Sequence, residues 1–100
     1  MKADDKWAGG EIVPISPTVT MCYTYILKSK STLGYYVGSC NNVKNRLVMH
    51  NNGYVQSTRA ARPWKLYYVE EYPDLRDARK RELQIKRWKS RAAIERLTNR

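Results

Sequence analysis

The chain has 100 residues, enough for one small domain with a single core. Lys and Arg number 19 against 9 Asp and Glu, a net charge of +10, which makes nucleic-acid phosphate the default partner. Its 2 cysteines exclude a disulfide framework and a metal-spaced thiol set, and no apolar run approaches the ~20 residues a spanning helix needs.

Residues 1–20 read as a weakly ordered leader, with Gly9-Gly10, Pro14 and Pro17 and no sustained period. Asp4 and Asp5, and the lack of an apolar segment, argue against a signal peptide. Residues 21–100 are the expected domain. Its cysteines, Cys22 and Cys40, read as two small buried thiols in a reducing compartment. That points to an intracellular setting, in the cytoplasm or the nucleoid.

Cys22 to Lys28 is β-branched and aromatic and reads as a strand. Ser29 to Leu33 is the turn, and Gly34 to Gly38 the second strand of a hairpin. With Lys28 facing Leu33 across a four-residue loop, Tyr25 lies directly opposite Tyr36 and Cys22 opposite Ser39. The hairpin then presents two phenols on one face. Taken alone, that is more simply a stabilising cross-strand pair than a catalytic one.

Asn41 or Asn42 caps a helix running to about Asn52, where Gly53 ends it. Val43 and Leu47 form its apolar stripe, and Arg46 and His50, four apart, border it on one side. Residues 53–63 are a polar loop carrying Gln56, Ser57, Thr58, Arg59 and Arg62. Trp64 to Tyr72 is the third strand, with Leu66, Tyr68 and Glu70 on one side and Tyr67 and Val69 on the other.

Asp74 caps a helix that runs to Trp88, and Leu75, Ala78, Ile85 and Trp88 trace its apolar face. Glu82 falls inside that face. A carboxylate there is costly unless it is paired, protonated or bound to a metal. Ser90 caps a last helix, Arg91 to Leu97. From Arg76 onward ten Lys and Arg stand against three Asp and Glu, a local +7.

The candidate constellation is Tyr25, Tyr36, Arg46, His50 and Glu82, expected to converge on one side of the sheet. A carboxylate can hold a Mg²⁺ that touches a phosphate oxygen, and an arginine can clamp developing charge. A tyrosine is a poor base near pKa 10, but a neighbouring cation lowers that value. Two plainer readings stand beside this one. Arg46 and His50 can bind phosphate without reaction, and Glu82 can pair internally with Arg46.

Together these residues resemble a known family. Tyr23-Thr24-Tyr25 and Tyr36-Val37-Gly38, with their tyrosines eleven positions apart, are similar to the paired triplets of the GIY-YIG nucleases. Asn42 through His50 resembles the family helix that carries an arginine and, in many members, a histidine. Arg62-Pro63-Trp64-Lys65-Leu66 and Ala78 through Lys89 are similar to small stand-alone bacterial members. The first triplet lacks its glycine, and Ser39 stands where some members carry lysine.

The resemblance implies an α/β fold in the order β-β-α-β-α-α, a three-stranded antiparallel sheet flanked by helices. It implies Mg²⁺-dependent cleavage of DNA, with Mn²⁺ as another usable divalent ion. It also implies roles: Tyr25 as general base, Tyr36 orienting water or phosphate, Arg46 as the phosphate clamp, His50 assisting and Glu82 as the metal ligand. Lys44, Arg59, Arg62, Lys80, Lys86, Arg87 and Lys89 are the expected nucleic-acid contacts, with DNA as the leading partner, RNA as an alternative and no membrane. The competing reading is a non-catalytic nucleic-acid-binding module using the same basic face. A protein-interaction domain with an acidic partner is a third, with no residue in its favour.

Overall fold

The computed structural model describes residues 21–98, and the expected leader over residues 1–20 lies outside them. The elements are β1 (Cys22–Ser29), β2 (Tyr35–Cys40), α1 (Val43–Asn51), a 3-10 helix (Gln56–Ala61), β3 (Trp64–Tyr72), α2 (Leu75–Trp88) and α3 (Arg91–Thr98). The strands form one antiparallel sheet in the order β2-β1-β3. This is the expected α/β class, with helices on both faces. No helix among the described residues is long and apolar enough to cross a membrane.

β1 is the central strand, so both of its faces are covered, and Thr24, Tyr25, Ile26 and Leu27 are all buried. Period-2 alternation sorts them into two cores. Tyr25 and Leu27 join Cys40 and Trp64 on one face, against Val43 and Leu47 of α1, Tyr36 and Ala61. Ile26 joins Val37 and Ile85 on the other, against Trp88 of α2, Ile94 and Leu97 of α3, and Tyr35, Tyr67 and Tyr68. The expected α1 stripe is therefore the packed one.

The hairpin register differs from expectation by two residues. Lys28 faces Tyr35, and Tyr25 faces Gly38. The cause is a larger turn. Ser29 Oγ accepts from the amides of Ser31 (3.1 Å) and Thr32 (2.9 Å), while the amide of Ser29 reaches Gly34 O at 2.8 Å. Leu33 takes the left-handed conformation, at φ 65. A slip of two preserves every face, so Tyr25 and Tyr36 remain on one side, as diagonal rather than direct neighbours. Cys22 and Cys40 are both buried free thiols, but alternation sets them on opposite faces.

The expected alternation in the third strand breaks at a bulge. Ile26 pairs with Tyr68 and Leu27 with Leu66, which leaves Tyr67 as the extra residue. Tyr67 and Tyr68, expected on opposite faces, consequently pack against the same cluster. The segment expected as a polar loop holds the 3-10 helix, which buries Thr58.

The helix starts follow the sequence. Asn42 Oδ1 accepts from the amide of Asn45 at 2.9 Å, and Asp74 Oδ1 from that of Asp77 at 2.9 Å. Gly53, at φ 81, closes α1.

Candidate active site

The covered face beneath α1 carries four of the five expected residues. Tyr25 projects from the middle of the sheet, and its hydroxyl lies 3.1 Å from His50 Nε2. The rings of Tyr36 and His50 are 4.8 Å apart, and those of Tyr25 and Tyr36 6.4 Å. Arg46 comes from the preceding turn of α1, and its guanidinium faces the Tyr25 hydroxyl. The Arg46 Nε is buried without a hydrogen-bond partner.

Gly38 makes this arrangement possible. A Cβ built there would lie 2.5 Å from the Tyr25 hydroxyl oxygen and 2.6 Å from its ring carbon Cζ. The tyrosine lies across the glycine backbone, so a side chain and the phenol compete for the same space.

His50 is fully buried and is held at both nitrogens. Its Nδ1 lies 2.8 Å from Thr58 Oγ1. Burial first, and then the Arg46 charge, holds its pKa below 6.5, so the ring is neutral near neutral pH. Burial also pushes the Tyr25 hydroxyl up to about 12, against the downward pull of the facing Arg46 guanidinium. The expected activation of the tyrosine by a nearby cation is thus outweighed by desolvation.

Glu82 does not share that face. Ser39 Oγ–H donates to its Oε1 at 2.5 Å, and Lys86 Nζ to its Oε2 at 2.5 Å. Ser39 alternates with Gly38 and Cys40, so it points to the side covered by α2. The expected convergence of all five groups on one face is therefore corrected: the four flank one side of β2 and the carboxylate flanks the other. Nor does Glu82 pair with Arg46; its cation is Lys86, one turn along the same helix.

At the end of the sheet the two groups come nearest through Arg46 and through Ser39, the partner of Glu82. A cleft there is lined by Ser39, Cys40, Asn41, Arg46, Asp74 and Arg79. β2 is an edge strand, and the cleft borders its last residues, Ser39 and Cys40.

The expected nucleic-acid contacts are all exposed, but they form two groups. Lys44, Arg59 and Arg62 lie on α1 and the 3-10 segment, whereas Lys80, Lys86, Arg87 and Lys89 lie on and just after α2. Arg59 and Arg62 are pinned through Nε, to Gly53 O at 2.9 Å and Arg59 O at 2.8 Å. Lys86 has a second task as the partner of Glu82.

The sequence reading named Thr58, Gly38 and Ser39 but assigned none of them a role in the site. Thr58 sits in a run of polar residues with no period to single it out. Gly38 was readable only with the correct register. Ser39 was readable from alternation, as the residue facing away from Tyr36.

The GIY-YIG catalytic domain model matches residues 21–96. Similar curated proteins include the UPF0213 protein CPE1444 of Clostridium perfringens (strain 13 / Type A), 43% identical over 68 residues that cover 67% of this chain and 72% of that protein. A UPF0213 protein of Bacillus pumilus (strain SAFR-032) is 39% identical over 67 residues, 66% of this chain and 67% of that protein. No solved structure gives a significant match. The paired tyrosine triplets, the arginine helix and the match over nearly all the described residues place this chain in the GIY-YIG nuclease family.

Proposed function

We propose that the chain is a Mg²⁺-dependent endonuclease that hydrolyses DNA phosphodiester bonds and selects its substrate by nucleic-acid structure, inside the cell. The observation that carries this reading is the Arg46 guanidinium, with an orphaned buried Nε beside the Tyr25–His50 pair. A buried N–H without an acceptor is unfavourable, and a phosphate oxygen would satisfy it with a charge-assisted bond. In this reading Arg46 clamps the scissile phosphate, Tyr25 takes a proton from water, Tyr36 orients water or phosphate, and His50 assists.

Glu82 is the candidate ligand for Mg²⁺ or Mn²⁺. Among the described residues, no group of three or more His, Cys, Asp or Glu gathers. A lone hard carboxylate suits an ion that keeps most of its waters and shares a phosphate oxygen. Lys86 already pairs with the carboxylate as a cation, and its side chain is half-exposed. A bound ion would neutralise charge developing on the phosphate.

The runner-up is a nucleic-acid-binding module that does not cut. Two observations favour it: the raised pKa of Tyr25 and the engagement of Glu82 by Lys86. Purified protein is incubated with branched, nicked and single-stranded DNA in Mg²⁺ or EDTA, beside Glu82→Gln, Arg46→Ala and Tyr25→Phe. Metal-dependent nicking lost in all three variants supports the enzyme. Binding without cleavage on every substrate, RNA included, supports the module, and equal nicking by all four proteins overturns the site.

A further inference from the structure

The hydrogen bonds of the buried Tyr25–His50–Thr58 chain can be assigned a direction. Three facts fix it. Thr58 Oγ1 has one proton, and Val55 O, which can only accept, lies 3.3 Å away. His50 Nδ1 lies 2.8 Å from the same oxygen. Arg46, whose guanidinium faces the Tyr25 hydroxyl, can only donate.

If Thr58 gives its proton to Val55 O, its oxygen must accept from His50, which places the imidazole proton on Nδ1. Nε2 then carries the lone pair and accepts from the Tyr25 hydroxyl at 3.1 Å. Each donor of the Tyr25–His50–Thr58 chain then has an acceptor. The opposite tautomer fails this test. Nε2–H and Arg46 would both donate to the Tyr25 oxygen, leaving the phenol proton without a partner beside two donors.

We propose that Thr58 is the positioning residue that holds His50 as the Nδ1–H tautomer, so that the Tyr25 hydroxyl donates into His50 Nε2 and turns its lone pairs toward Arg46. This rests on the nuclease reading only for its catalytic consequence. In that reading a water proton passes to the Tyr25 oxygen while the phenol proton passes to Nε2. The water oxygen bonds to phosphorus, and the bridging oxygen leaves with its electron pair and takes a proton from solvent. Tyr25 need never exist as a free phenolate, so its high pKa does not block the reaction. The imidazolium that forms keeps its Nδ1–H on Thr58.

The chain holds 1 histidine, so its imidazole nitrogens can be read without assignment. Long-range ¹H–¹⁵N correlations from the ring protons show which nitrogen carries the proton. The expected result for the wild type at neutral pH is Nδ1–H. Thr58→Ser should keep it. Thr58→Val, which is close in shape but lacks the acceptor, should shift the ring toward Nε2–H and lower cleavage about 10²-fold, the low end for a misplaced proton-transfer group. An Nε2–H wild type overturns the proposal outright, even if Thr58→Val does not fold. An unchanged tautomer in folded Thr58→Val removes Thr58 from the role. The predicted tautomers without cleavage on any DNA would support the positioning assignment while defeating the nuclease reading separately.

Discussion

Tyr25 and Gly38 face each other across β1 and β2, and the phenol lies over the glycine α-carbon. Gly38→Ala therefore forces a methyl to within 2.5 Å of the buried hydroxyl oxygen. Neither group has room to yield, because Tyr25 is 1% exposed. The expected cost is about 1–3 kcal/mol of stability, typical of overpacking, together with displacement of the hydroxyl from His50. Urea unfolding measures the first and DNA nicking the second. Wild-type values in both would show that the phenol does not depend on this glycine.

Removing the hydroxyl should separate chemistry from folding. Tyr25→Phe keeps the ring against Leu27 and Trp64 but strands Nε2 of His50. An unmade bond at a buried acceptor costs about 1–3 kcal/mol, so the variant should fold with reduced stability. Nicking should fall about 10²-fold or more, the usual scale for a lost proton-transfer group. Full activity in folded Tyr25→Phe would move the base elsewhere.

The acid limb of stability should report His50. Its folded pKa lies below 6.5 because of burial and then Arg46, with no carboxylate bonded to the ring. The unfolded chain thus takes up a proton at higher pH than the folded one, and stability rises with pH through that window. The contribution is intact above the unfolded value and erodes as pH falls toward the folded one. Urea midpoints at about pH 7.5 and about pH 5.5 should diverge in the wild type and converge in His50→Gln. Equal divergence in both would assign the acid limb to other groups.

What the sequence could and could not convey follows from the periods involved. Strand alternation reports faces, and faces survive a slip of two, so Tyr25 and Tyr36 were correctly placed on one side despite the wrong register. Helix periodicity reports inwardness but not which face of a sheet the helix covers. Glu82 was therefore readable as inward-facing, yet its separation from Tyr36 by the sheet itself was not. The bulge at Tyr67 breaks alternation through backbone geometry, and no residue type in β3 marks it. Thr58 matters only through its contacts with His50 and Val55, which the fold creates.

Glu70 makes a second, structural test. It accepts from Arg81 Nε at 2.9 Å and Nη2 at 3.1 Å, and from the hydroxyls of Tyr68 and Tyr72 at 2.6 Å each. Burial alone would raise its pKa, but these donors outweigh it and hold it below 4.5. Arg81→Met should cost about 1–2 kcal/mol at neutral pH, discounted for partial exposure. The folded pKa is depressed, so this stability is present above the unfolded value and is lost as pH falls through the folded one. The gap between wild type and variant should shrink below about pH 4.5, and a gap that persists there would make Arg81 a packing residue rather than an ion-pair partner.

Lys86 sets how readily Glu82 can take a metal. The pair is an i,i+4 contact with the lysine side chain 46% exposed. Such pairs stabilise by about 0.3–0.5 kcal/mol, so a divalent ion displaces the ammonium at little cost. The same magnitude bounds the effect of removing it. Lys86→Met should tighten Mg²⁺ or Mn²⁺ binding about twofold by relieving competition, with a somewhat larger gain from the lost like charge at low salt. Glu82→Gln should abolish it. Ser39→Ala tests the other oxygen: its hydroxyl orients the carboxylate at 2.5 Å, so its loss should weaken binding while leaving the Tyr25–His50 face intact. Titration of Mn²⁺ followed by paramagnetic broadening reads all three variants without any DNA. Broadening centred away from Glu82 and Ser39, or unchanged in Glu82→Gln, would reject this carboxylate as the ligand.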